Sequence, residues 1–352
     1  HFFILFAIAG LLINPSAAEA CTGITLKSKD STTIVARTIE WGGSNLNSQY
    51  VVVPRGYTER SYTPNGVDGM TFTARYGYVG LAVEQKEFIA EGLNEAGLFY
   101  FPKYGEYEKY NAAVRDKSIS DLQLVSWLLG ECSNVEEVKE AVKKVHVINI
   151  DPRASTVHWR FAEPSGRQLV LEIIKGELHF YENTLGVLTN SPSFEWHLTN
   201  LNNYVNLFPG TAPNQQLGNI ELSSFGAGSG FLGIPGDVTP PSRFVRAAFY
   251  QASAPQQETA LETVFQCFQI LNNFDIPVGI EFPLGQVPCD IPSATQWTSV
   301  TDMRNHVIYY RTMYNSVIRN IDLRSIDFST VRYRAVSMDG TKRQAVETIK
   351  IE

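Results

Sequence analysis

The chain has 352 residues, a formal charge of −7, 44% hydrophobic and only 18% charged residues, so it carries enough apolar surface to bury a large core and is not a disordered polypeptide. Its 26 glycines and 17 prolines follow no collagen-like period and form no low-complexity tract. An acidic balance without a long Lys/Arg run argues against nucleic acid or an anionic membrane surface as the main partner, and favours small-molecule or protein chemistry.

Residues 2–13 (FFILFAIAGLLI) form an apolar run too short to cross a bilayer comfortably, broken at Asn14-Pro15 and followed by Ala18-Glu19-Ala20. This predicts a secretory signal over 1–20, cut between Ala20 and Cys21, and a mature chain exported to the bacterial periplasm or secreted, with no membrane anchor. A lipid anchor on Cys21 is disfavoured, because Ala18 stands where lipoprotein signals carry a leucine-like residue.

Behind the leader, apolar residues alternate in short runs over 22–27, 32–37, 50–53 and 88–101, which predicts strands. The period lengthens over 120–146: Leu122, Val125, Leu128 and Leu129 recur at helical spacing, Gly130 is expected to end that helix, and Asn134 with Glu137 to begin another. Strands return at 157–161, 168–174 and 177–181, helices at 241–251 and 256–272, and strands close the chain from Ala294. Strands in clusters imply antiparallel sheets covered by helices, not a Rossmann-type sheet. No linker, composition shift or repeat divides the chain, so 21–352 reads as one domain.

The cysteines are Cys21, Cys132, Cys267 and Cys289. No CxxC spacing is present and no zinc site is expected. If Cys21 is reserved for chemistry, an odd number remains, so at least one is a free thiol packed as a small hydrophobe.

A cysteine heading a mature chain carries a thiol and a free α-amine a few bonds apart. The amine titrates at about 7.7–8.0, close enough to neutrality to act as a base. Arg37, sixteen residues on, is a candidate for placing a permanent positive charge near sulfur, and Glu40 for holding the amine. On spacing alone the two read equally as a solvated strand-end pair. His146, His158, His179, His197 and His306 lie in no cysteine-protease signature, and most are expected to be structural. Gly226-x-Gly228-x-Gly230 lacks the GK[ST] of a phosphate loop and reads as a bend.

Cys21 as the processed N-terminus, Arg37-Thr38-Ile39-Glu40, Gly92-Leu93-Asn94-Glu95, Thr189-Asn190-Ser191-Pro192, Asn200 through Tyr204, and Pro235 through Phe244 together resemble the choloylglycine hydrolase and penicillin V acylase family, cysteine N-terminal nucleophile hydrolases. The resemblance covers nearly the whole mature chain in order. It implies an α+β fold, a four-layer αββα sandwich of two antiparallel sheets between helical layers, and a cofactor-free amidase working through a thioester on Cys21. It further implies that Arg37 lies beside the sulfur, Glu40 bonds the amine, Asn190 supplies an oxyanion donor and Arg243 completes the charged cluster. The implied substrate is a small-molecule amide, a glycine- or taurine-conjugated bile acid, and the implied assembly a homo-oligomer, a tetramer. Penicillin V and acyl-homoserine lactones are the alternative substrates. A non-catalytic secreted binding protein for hydrophobic ligands is the alternative from another class.

Two positions depart from the family pattern. Glu40 stands where an aspartate is usual, lengthening the side chain by one methylene. Tyr100, before Phe101-Pro102, stands in a shortened segment at a place that implies a substrate or oxyanion contact, and tyrosine there is closer to the penicillin acylase branch. The stretch Asn200 to Tyr204 is closer to the bile-salt branch.

Overall fold

The computed structural model describes residues 19–63, 69–105, 112–149 and 156–351; all but the last two residues of the predicted leader lie outside the described residues. In chain order the first strands are β1 (Glu19–Ala20), β2 (Gly23–Lys27), β3 (Thr33–Trp41) and β4 (Gln49–Val53). The small hairpin β5 (Thr58–Arg60) and β6 (Thr71–Thr73) follows, then β7 (Tyr78–Ala82), β8 (Ile89–Asn94), β9 (Phe99–Gly105) and β10 (Ser118–Ser120). The helical pair is α1 (Leu124–Glu131) and α2 (Val135–Val142), and it leads to β11 (His146–Ile148), β12 (Thr156–Ala162), β13 (Gln168–Ile174) and β14 (Glu177–Glu182). After α3 (Phe194–Asn200) come the exposed hairpin β15 (Gln215–Leu217) and β16 (Ile220–Leu222), then α4 (Pro240–Ser253) and α5 (Ala260–Leu271). The chain closes with β17 (Thr295–Asp302), β18 (Val307–Thr312), β19 (Asn315–Asp322) and β20 (Arg334–Ser337).

Apart from the separate hairpins β5–β6 and β15–β16 and the short parallel pair β10–β11, these strands are organised in two antiparallel sheets. One runs β1-β3-β17-β18-β19 with β2 also on β3, and the other runs β14-β13-β12-β9-β8-β7-β4-β20. Successive strand residues face opposite ways, and the larger sheet shows it. Val52, Val79, Leu81 and Val170 join the core shared with β2, β3, α4 and α5, whereas Val51, Tyr78, Leu169 and Leu171 join the core under α1 and α2. In β3, the consecutive Ile34, Val35 and Ala36 are all fully buried, so both faces of the smaller sheet are covered: one by the larger sheet, the other by α5, which packs on β2, β3 and β17. The layers are helix, sheet, sheet, helix, as the resemblance implied.

The differences from expectation are local. The strand expected over 32–37 extends to Trp41, because its whole length is sandwiched. The run 88–101 is two strands, turning where Gly97 adopts φ +89°, a left-handed conformation that glycine takes without strain. Gly130 does not end α1. A Cβ there would stand 3.2 Å from the Ala74 Cβ, so its bare backbone lets the helix lie on Ala74 while its carbonyl accepts from the Arg75 and Tyr76 N–H groups. Asn134 does begin α2, its side chain accepting from the Glu136 and Glu137 N–H groups. All four cysteines are free, with Cys289 exposed and the others buried.

Candidate active site

Cys21 sits at a break in an edge strand. β1 pairs Ala20 with Glu40 and β2 pairs Gly23 with Arg37 on the same neighbour, β3, and between them the ladder opens at Cys21 and Thr22. Antiparallel pairing with a short turn is what brings Arg37 back to Cys21: the Arg37 Nη2 donates to the Cys21 Sγ at 2.9 Å. The guanidinium is held rigidly, Nη1 donating to the Ala90 carbonyl at 2.9 Å and Nε to the Thr38 carbonyl at 3.1 Å. The Trp297 ring lies 5.5 Å away. A buried cation so close to sulfur stabilises negative charge there far more than it would in water.

Asn190 and Arg243 arrive from distant segments. Asn190 Oδ1 accepts from the Cys21 backbone N–H at 2.8 Å and from Arg243 Nη2 at 3.0 Å. With its oxygen committed to two donors, the carboxamide has one orientation, and its Nδ2 is buried without a partner among the described residues. Arg243 also donates to the Cys21 carbonyl at 2.7 Å and to Thr22 Oγ1 at 2.9 Å. Burial pulls its pKa down, and Glu40 is the largest charge opposing that. Its placement follows from the Pro235 to Phe244 segment: Pro240 and Pro241 open α4 with their backbone preset for the first turn, while Asp237 accepts from Ser242 Oγ at 2.6 Å and from the Thr239 N–H at 2.9 Å.

Glu40 is buried, accepts from Thr295 Oγ1 at 3.3 Å, and lines the same cavity as Cys21 and Arg37. That cavity opens to solvent and is otherwise apolar, walled by Leu46, Val83, Phe88, Ile89, Leu122 and Val157 among others, the lining expected of a site for an apolar group. Tyr100 is not among the residues of the cavity wall. Its ring packs 4.4 Å from that of Phe161 in the core under α1 and α2.

Several buried polar residues around the site carry no chemical role that the sequence pointed to. Glu91 lies 3.9 Å from Arg37 Nε and accepts from Ser299 Oγ at 2.7 Å. His158 and His197, expected to be structural, reach the two backbone carbonyls flanking the Asn190 Cα: His158 Nε2 meets the Thr189 carbonyl at 2.9 Å and His197 Nε2 that of Asn190 at 2.8 Å. Groups that bond main-chain atoms leave no spacing motif for a sequence to display. Among the described residues no group of three or more His, Cys, Asp or Glu could hold a metal ion.

Two antiparallel sheets between helical layers, with a cysteine at the head of a strand opening on an apolar cavity, define a hydrolase of the N-terminal nucleophile fold. The chain belongs to the linear amide C–N hydrolases, choloylglycine hydrolase family, whose sequence profile matches residues 21–336. It is 33% identical over 318 residues to a bile salt hydrolase/transferase of Lactiplantibacillus plantarum, covering 86% of this chain and 92% of that one. It is 32% identical over 313 residues to a bile salt hydrolase/transferase of Clostridium perfringens, with the same coverage, 86% and 92%. A crystal structure of a mutant conjugated bile acid hydrolase from Clostridium perfringens superposes with a TM-score of 0.80 at 29% identity, over 94% of this chain and all of that one.

Proposed function

We propose that this protein is an exported amidase that hydrolyses glycine- or taurine-conjugated bile acids through a thioester on Cys21. The observation that carries the reading is the sulfur 2.9 Å from a buried guanidinium, at the wall of an apolar cavity. The likeness to bile salt hydrolases supplies the substrate class, and the cavity is of a kind that takes an apolar acyl group.

Removal of residues 1–20 leaves Cys21 with a free α-amine, and frees the β3 edge at Glu40 and Trp41 that β1 now covers. The amine takes the thiol proton and the sulfur attacks the amide carbon, turning its carbonyl oxygen into an oxyanion. The uncommitted Asn190 Nδ2 is the donor for that oxyanion, with a backbone N–H. Arg243, which orients the Asn190 oxygen, and Arg37, beside the sulfur, hold this geometry through the reaction. As the C–N bond breaks, the α-ammonium gives its proton to the departing amine, leaving the acyl group as a thioester. Water then attacks the thioester, surrendering a proton to the α-amine, which passes it to the leaving sulfur as the bile acid is released.

The test is glycocholate and penicillin V hydrolysis, side by side, by protein whose N-terminus has been sequenced. Mature protein should begin at Cys21 and cleave glycocholate faster. Cys21→Ala should abolish turnover, and Asn190→Ala should lower kcat by about 10²–10³-fold. Turnover by Cys21→Ala, or by protein still carrying Ala20, refutes the mechanism; faster cleavage of penicillin V refutes the substrate.

A further inference from the structure

The peptide segment that presents Asn190 is gripped from outside the reaction centre. Its carbonyls can only accept hydrogen bonds, so each imidazole meeting one must supply an N–H. His197 Nε2 is therefore a donor to the Asn190 carbonyl at 2.8 Å, and His158 Nε2 a donor to the Thr189 carbonyl at 2.9 Å. The other His158 nitrogen, Nδ1, faces Glu172 Oε1 at 3.2 Å, on the neighbouring strand β13, and both side chains are fully buried. The same Glu172 oxygen accepts from the Phe194 N–H at 2.7 Å, in the first turn of α3, the helix that carries His197. His197 in turn stacks on Phe244, with ring centroids 4.5 Å apart and planes 7° apart, and Phe244 follows Arg243, which bonds the Asn190 side chain. Two buried imidazoles, on β12 and α3, thus converge on two successive carbonyls, and Glu172 on β13 ties the strand of one to the helix of the other. A merely space-filling role would need neither the donors nor their convergence.

We infer that His158, Glu172 and His197 are positioning residues for the reaction, clamping the Thr189–Asn190 backbone so that the Asn190 Nδ2 is aimed at the developing oxyanion. The inference rests on the proposed role of Asn190 and deepens it. His197 touches no substrate; it acts through Asn190. Catalytic geometry is lost with displacements of about an ångström, which cost about 10²-fold in rate, and freeing one end of the clamp should cost about 10- to 100-fold in kcat.

The experiment is a double-mutant cycle in the mature enzyme, on glycocholate or on penicillin V if that is the amide the wild type cleaves. His197→Phe keeps a flat ring on Phe244 and removes the donor; His197→Gln keeps an N–H near the Nε2 position. His197→Phe should lower kcat about 10- to 100-fold with KM within about threefold of wild type, and His197→Gln should recover most of the loss. In an Asn190→Ala background His197→Phe should add almost nothing, because the group it aims is gone. Full additivity of the two losses, an unchanged kcat in His197→Phe, or a loss falling on KM overturns the inference. Asn190→Ala with wild-type kcat overturns instead the oxyanion reading beneath it, so the failures are told apart. Should His197→Phe not fold, the same cycle with Glu172→Gln, at the other end of the clamp, decides by the same criteria.

Discussion

The neutral state of His197 has a consequence for stability that is measurable without any substrate. Burial is the largest cause holding its pKa down to about 4 against an ordinary 6.5; His158 and Arg243 add to the depression, while the Asn190 carbonyl and Glu172 oppose it. Between those two values the unfolded chain binds a proton at this residue that the folded protein refuses. Stability from this group is therefore fully present above about pH 6.5 and is lost as pH falls toward 4, at about 1.4 kcal/mol per pH unit, or about 3 kcal/mol in all. His197→Gln keeps a polar donor but cannot titrate. Urea unfolding of both proteins at half-unit steps from pH 7.5 to pH 4 gives two stability profiles, and their difference isolates the histidine. The wild type should lose about 3 kcal/mol more than the variant across this window, with the divergence beginning near pH 6.5. Profiles that run parallel down to pH 4 would mean that the imidazole is not sealed from water, and the assignment of a fixed neutral donor would fall with them.

The cavity makes a separable prediction: Leu122→Trp, on its wall, should raise KM for the acyl substrate at least about tenfold while leaving the rate of Cys21 alkylation by the small reagent iodoacetamide within about threefold of wild type, read by peptide mapping. The thiols differ in access: burial pushes Cys132 up to about 12 and drives Cys267 higher still, while Cys289 is exposed. Iodoacetamide at pH 7 should therefore map to Cys289 and Cys21 in the folded protein and reach Cys132 and Cys267 only in denaturant; early label on Cys267 would contradict the packing of α5. At Gly92 a Cβ would stand 2.5 Å from Leu129 Cδ1 and 2.9 Å from the Val79 carbonyl oxygen, so Gly92→Ala should cost about 1–3 kcal/mol by urea unfolding. A neutral result would show that α1 does not lie tightly on β8.

How far the fold could be read follows from what each signal measures. Alternation and helical spacing report one element against its own covered face, and they located α1, α2, α4, α5, β2, β4, β12, β13 and β14 to within a few residues, but missed β7, which is buried along its whole length. They failed where burial is two-sided or where backbone meets backbone. β3 runs on to Trp41 because a strand covered on both faces shows no alternation to mark its end, and Gly130 looked like a stop because absence of a side chain serves close packing as well as helix termination. The Cys21–Arg37 pair was within reach, since a strand, a short turn and an antiparallel return put Arg37 opposite Gly23, two residues from Cys21. Asn190 and Arg243 were not. Their separations from Cys21, 169 and 222 residues, are set by the closing of the whole sandwich, and only the resemblance carried them.

The site is densely charged in a dry place. Arg37, Arg160 and Arg243 rank among the largest fully buried side chains of the described protein, and burying an unpaired charge would cost several kcal/mol. Each is instead tied to main-chain oxygens: Arg37 to Ala90 and Thr38, Arg160 to Ile24, Arg243 to Cys21 and Val238. Carbonyl oxygens satisfy the guanidinium donors without cancelling their charge. Buried carboxylates face these guanidiniums, Glu91 acting on both Arg37 and Arg160 and Glu40 on Arg243, while the carbonyl bonds fix where each cation stands relative to the sulfur. Dryness then serves the proposed mechanism: with water excluded, the Arg37 guanidinium 2.9 Å from the sulfur acts at low dielectric on negative charge that forms there, first the proposed thiolate and then the oxyanion. An exposed cluster of the same residues would fold at less cost and would catalyse poorly.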